Sequence, residues 1–145
     1  MIIRTLSFVA LLLFGGALVE PVTSGRYEWK TPPAARGLAT TSIFQGSAHD
    51  FEYMAMESCR VSSASGQFSA KVPPDEEHLL IIRSGNLLLS FSDSTWSLGH
   101  GSIAVLIPGE RTSLKCETGD CDFYRMRYRA REKEHPLRTG TSFVR

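Results

Sequence analysis

Metal-ligating side chains are scarce in this sequence, with four histidines and three cysteines among 145 residues. No second Cys or His pair stands at ligand spacing, so nothing supports a zinc site. An excess of either charge is also missing. Sixteen Lys+Arg face fifteen Asp+Glu, which excludes a general nucleic-acid footprint, and 42% hydrophobic residues exclude a disordered chain. No helical period of useful length follows the first 17 residues, and no apolar run is long enough to span a bilayer comfortably. What is left is the material of one all-β domain, in a chain long enough to bury a core.

Residues 1–19 read as a leader. Arg4 supplies a positive start, Leu6 to Phe14 an apolar stretch, and Gly15-Gly16-Ala17 the small residues that a signal peptidase reads. Cleavage is expected near Ala17 or Val19, with a retained N-terminal anchor as the alternative. The mature chain is therefore expected to be exported, to a periplasm or outside the cell. Cys59, Cys116 and Cys121 then lie in an oxidising compartment. Cys116 and Cys121 flank a Thr-Gly-Asp turn, where opposing hairpin positions could bring them into bonding range and leave Cys59 as a buried thiol. The alternative is three reduced cysteines packed as small hydrophobes.

Residues 20–46 are rich in Pro, Gly and Thr and read as an arm across the domain, with Tyr27 and Trp29 as its anchors or as contacts to a partner subunit. The domain proper is expected over 47–131, with a tail over 132–145. Phe51 to Val61 opens the strands, and a short strand over Phe68 to Val72 stops at Pro73-Pro74. Leu79 to Ile82 and Leu87 to Phe91 flank Ser84-Gly85-Asn86, a pattern that predicts a central hairpin of strands buried on both faces. Thr95 to Leu98 follows, and then Ser102 to Ile107, also expected to be buried on both faces. Ser113 to Cys116 and Asp122 to Ala130 complete a last hairpin. In that final strand Tyr124, Met126 and Tyr128 share one face, expected inward. Arg125, Arg127 and Arg129 share the other, expected to be solvated with Arg131, or to meet an anionic glycan or a partner subunit. Many short strands at even spacing predict a sandwich or barrel.

Glu77-His78 followed by Gly85, and then Gly101-Ser102 to Pro108-Gly109, resembles the two motifs of the cupin superfamily. The likeness extends from about Ile43 to Tyr128. It is closest to the branch that includes (S)-ureidoglycine aminohydrolase and related secreted cupins, and Pro136 to Phe143 resembles the linker that leads such proteins into a second cupin. The resemblance implies a double-stranded β-helix, or jelly roll. It also implies an interior metal held by three imidazoles and a carboxylate. Here the first two histidine positions fall in Lys71 to Pro74, the acidic position falls on His78 beside Glu77, and the third histidine position falls on Arg111 or Thr112. Too few ligands remain, and the expectation is no metal and no cofactor.

The candidate catalytic residues are Glu77 and His78, with His78 on the face of Leu80 and Ile82. The candidate ligand pocket combines His78, Leu80, Tyr124, Met126 and Tyr128. Three functions fit these residues. The first is a non-catalytic exported module that binds a small molecule in its barrel, or that serves in protein interaction. The second is a metal-dependent hydrolase of the ureidoglycine aminohydrolase type. The third is a metal-free sugar isomerase or epimerase. The first is expected, with a homodimer formed through the arm as a further possibility and no nucleic-acid partner.

Overall fold

A computed structural model describes residues 19–132. The leader expected over residues 1–19 and the tail expected over 132–145 lie outside the described residues, except at Val19 and Glu132. Nine strands form: β1 (Leu38–Gly46), β2 (Phe51–Ser62), β3 (Gln67–Lys71), β4 (Glu77–Ser84), β5 (Leu87–Phe91), β6 (Ser94–Leu98), β7 (Ile103–Leu106), β8 (Arg111–Cys116) and β9 (Asp120–Ala130). A single 3-10 turn, Ser63–Ser65, is the only helical element among the described residues. The apolar and β-branched runs read from the sequence thus become strands, and the Gly and Pro positions end them.

The strands build two antiparallel sheets, one ordered β1-β2-β9-β4-β7 and the other β3-β8-β5-β6. Between β2 and β9 the chain changes sheet at almost every connection, and only β5 and β6 form a hairpin within that stretch. This corrects the expected central hairpin. β4 pairs with β7 and β9 in one sheet, while β5 pairs with β6 and β8 in the other. Ser84-Gly85-Asn86 is therefore a corner between sheets. Gly85 has φ +82°, and a Cβ there would stand 2.7 Å from the Asp120 carbonyl oxygen and 2.9 Å from Cys121 Sγ. Only glycine supplies both the left-handed backbone and the clearance.

The last expected hairpin is corrected in the same way, since β8 and β9 lie in different sheets. Cys116 and Cys121 are nevertheless bonded, with Cα atoms 5.6 Å apart, and Cys59 is a buried free thiol. The disulfide joins the two sheets at a corner.

The core lies between the sheets. Val61, Leu80, Ile82 and Phe123 from the larger sheet meet Leu87, Leu89, Leu114 and Cys116 from the smaller one. Complete burial of each large apolar side chain contributes about 2 kcal/mol. β4 alternates strictly, with His78, Leu80 and Ile82 buried and Leu79 and Ile81 half-buried on the other face. β7 also has only one buried face. Ala104 and Leu106 point inward, while Ile103, Val105 and Ile107 are 62%, 53% and 59% exposed. The expectation of burial on both faces fails here because β7 is an edge strand with no covering layer among the described residues.

Residues 38–46, expected within the arm, form β1 and pair along β2. The remainder of the arm lies on the outer face of the larger sheet. Trp29 meets Tyr124 edge-on at 5.1 Å, Arg83 stacks over the Trp29 ring at 4.7 Å, and the Lys30 amide donates to Ser58 Oγ.

Candidate functional site

The cross-strand register decides which residues meet inside. His78 stands opposite Arg127, Leu80 opposite Arg125 and Ile82 opposite Phe123. Partners in a ladder project to the same face, so the Arg125, Arg127 and Arg129 row looks into the interior. Tyr124, Met126 and Tyr128 look outward, with Leu79, Ile81 and Glu77. This reverses the expected facing of β9. His78 and Leu80 do not share a cavity with Tyr124, Met126 and Tyr128. The physical reason lies further along the strand. Cys121 and Phe123 are completely buried, and their parity carries the three arginines inward.

Arginines are tolerated there because carboxylates meet them. Arg125 Nε donates to Glu57 Oε2 at 2.7 Å, and Glu57 belongs to β2. Arg127 bridges two acids, with Nη1 3.4 Å from Glu57 Oε1, Nε donating to Glu76 Oε2 at 3.1 Å and Nη2 to Glu76 Oε1 at 3.2 Å. Arg129 Nε stands 2.8 Å from Asp75 Oδ2 but is not aligned for a hydrogen bond, and its Nη2 is 3.6 Å from Glu76 Oε1. His78 Nε2 lies 3.2 Å from Glu76 Oε2. Glu76 is the hub. Its position two residues before His78 was the available signal, because residues at that spacing share a face of an extended chain.

Electrostatics follow from this packing. Burial works to raise the Glu76 carboxyl, but hydrogen bonds from Arg127 and His78 outweigh it and hold the group below the usual carboxylate value. Burial pushes His78 below its ordinary value, with Arg125 and Arg127 adding to the effect and Glu76 opposing it. His78 is then a neutral imidazole near pH 7, and an ionised Glu76 selects the tautomer that donates from Nε2. Burial also pushes the Cys59 thiol up to about 12, which removes it as a nucleophile near neutral pH.

The other catalytic candidate, Glu77, faces outward and accepts a 2.6 Å hydrogen bond from the Tyr128 hydroxyl. That bond, with burial, raises the phenol to about 12. Glu77 and His78 are therefore on opposite faces and cannot act as one acid–base pair on a single substrate.

The interior donor set does not fit the metal implied by the resemblance. His78 is the one imidazole in the cluster, and both oxygens of Glu76 are held by Arg127. The Arg127 guanidinium sits where a cation would have to approach the two carboxylates. Among the described residues no group of three or more His, Cys, Asp or Glu could hold a metal ion.

No family model matches the sequence, and no curated protein matches it significantly. Solved structures do match. The Cnp3 cupin domain of Schizosaccharomyces pombe aligns with a TM-score of 0.51 and 13% identity over 63% of this chain and 61% of that one. The ethanolamine utilization protein EutQ of Salmonella typhimurium aligns at 0.52 and 12% identity, over 65% and 71%. KdgF from a Halomonas species aligns at 0.53 and 7% identity, over 74% and 90%. Identities this low carry the fold alone. Two facing antiparallel sheets, the crossing order of the strands and these neighbours agree, and the chain has the cupin fold.

Proposed function

We propose that this chain is a non-catalytic cupin-fold module of an oxidising, exported compartment, which binds a small molecule at the charged end of its interior. The observation that carries the reading is Arg127 bridging Glu57 and Glu76, because it neutralises the carboxylates that a hydrolase or isomerase would need free. A second observation favours an interior ligand. Thr112 Oγ1 is buried on the inward face of β8 with no hydrogen-bond partner among the described residues, a situation that costs about 1–3 kcal/mol unless something meets it. The Cys116–Cys121 bond supports an oxidising location. Among the described residues no helix is long and apolar enough to cross a membrane.

Metal analysis of the purified protein beside His78→Ala tests the reading. The expected result is substoichiometric metal in both proteins. A full equivalent of metal that is lost in the variant would overturn it in favour of the metal-dependent hydrolase.

A homodimer is the second part of the proposal. Ile103 and Val105 on the edge strand β7, with Ile107 just past its end, form an exposed apolar stripe of the kind that association covers. The arm, which lies over β2 and β9 on the outer face of the same sheet, could exchange between two copies. Light scattering that shows a monomer at high protein concentration would remove this part and leave the first intact.

A further inference from the structure

The outer face of the smaller sheet carries cations that the fold does not use. Lys71 on β3 stands directly opposite Arg111 on β8, and both are exposed. Neither has an ion pair or a side-chain hydrogen bond among the described residues. The acid next in sequence, Glu110, is engaged by the Ile107 amide nitrogen at 3.2 Å. Like charges directly opposite each other on neighbouring strands repel, with Cα atoms about 5 Å apart, so this pair weakens the sheet unless an anion lies between.

Beside the cations runs a row of hydroxyls. Ser69 pairs with Ser113, Ser113 with Ser90, and Ser90 with Thr95, so the row crosses all four strands. Ser113 Oγ accepts from Gln67 Nε2 at 2.6 Å, which leaves its own proton free to donate outward. Ser90 Oγ and Thr95 Oγ1 are 2.9 Å apart, and the hydroxyl that accepts there likewise keeps a proton to give. Gln67, Ser69, Lys71, Ser90, Arg111 and Ser113 line one groove of about 580 Å³. Successive same-face residues of a strand are about 7 Å apart, so the cation row and the hydroxyl row are separated by about the breadth of one pyranose ring.

We propose that this groove binds an anionic sugar, with the carboxylate or phosphate between Lys71 and Arg111 and the ring hydroxyls on Ser69, Ser113 and Ser90. The site lies on the outside of the smaller sheet, away from the Glu76 cluster, and does not depend on what the interior binds. Lys71 and Arg111 supply charge-assisted hydrogen bonds, and the serines select for a hydroxylated ligand. Both chemical sources of the anion, a sugar carboxylate and a sugar phosphate, satisfy this arrangement.

Calorimetric titration of the full chain with glucuronate, glucose 6-phosphate, glucose and inorganic phosphate tests the proposal. One or both anionic sugars are expected to bind at least tenfold more tightly than glucose or phosphate alone, and the stronger of the two identifies the source of the anion. The Lys71→Gln, Arg111→Gln double variant is expected to lose at least tenfold of that affinity, and Ser113→Ala a smaller part. Binding of both anionic sugars no tighter than that of inorganic phosphate or glucose would overturn the proposal, as would no binding of either anionic sugar. An affinity unchanged in a folded double variant would also overturn it, and greater aggregation of that variant would then assign the cations to protecting the β3 edge.

Discussion

The two ends of the interior differ although the same strands build both. At one end β9 contributes Cys121 and Phe123, completely buried against Leu87, Val61 and Cys116. At the other, two and four residues further along the same face, it contributes Arg125 and Arg127, tied to Glu57 and Glu76. The apolar end is stabilised by area removed from water, which is indifferent to geometry at the level of single bonds. The charged end is held by directional pairs, and removing one member strands the other in a poor solvent. One end sets the stability of the fold, and the other makes that stability depend on pH and on neighbouring groups.

Three tests bear on this contrast. Arg127→Ala should have the largest effect, destabilising by about 3 kcal/mol because Glu76 keeps its burial and loses its main partner. Urea denaturation measures it. Adding Glu76→Gln should recover part of the loss, and no recovery would mean that packing, rather than charge, matters at Arg127. At the apolar end, Cys116→Ser with Cys121→Ser should cost about 2 kcal/mol on the chain-entropy model for so short a loop. This loss should be the same at pH 5 and pH 8, and a strong pH dependence would erase the distinction between the ends.

The smallest effect concerns His78. Its folded pKa lies below the ordinary 6.5, so as the pH falls the unfolded chain takes up the proton first. The stability that this provides is complete above about pH 6.5 and is lost as the pH falls through the folded value. Glu76, also depressed, adds a loss in the same direction in a lower window, from its ordinary 4.5 downward. In His78→Asn the decline should therefore begin at lower pH. Thermal melts between pH 7 and pH 4 that superimpose for the parent and the variant would show that His78 does not titrate on unfolding.

Strand positions were legible in the sequence because each apolar run ends at a Gly, a Pro or a polar turn. Pairing was less legible. A Ser-Gly-Asn turn between two apolar runs has the same local chemistry whether the strands pair or part, and only the partners β7, β8 and β9 settle which. The facing of β9 was misread because tyrosine is the more apolar side chain and arginine the more polar. Partners decide burial for arginine, and Glu57 and Glu76 are distant in sequence. The parity of Cys121 and Phe123 with Arg125 and Arg127 was visible, and it pointed the right way. At the site, the inward placement of His78 was readable from its spacing to Leu80 and Ile82. The role of Glu76 as the hub was not readable, because it depends on Arg127, 51 residues away, turning inward to meet it.

The disulfide has a consequence for how the molecule can open. Cys116 closes β8 in one sheet and Cys121 begins β9 in the other, and the Gly85 corner presses against the same sulfur. That corner is tied twice, by the chain and by the bond between its sulfurs. The margin where Glu57, Glu76 and the arginines meet is tied by chain connections alone, through residues 72–76 and 107–110, and its ion pairs supply the second fastening there.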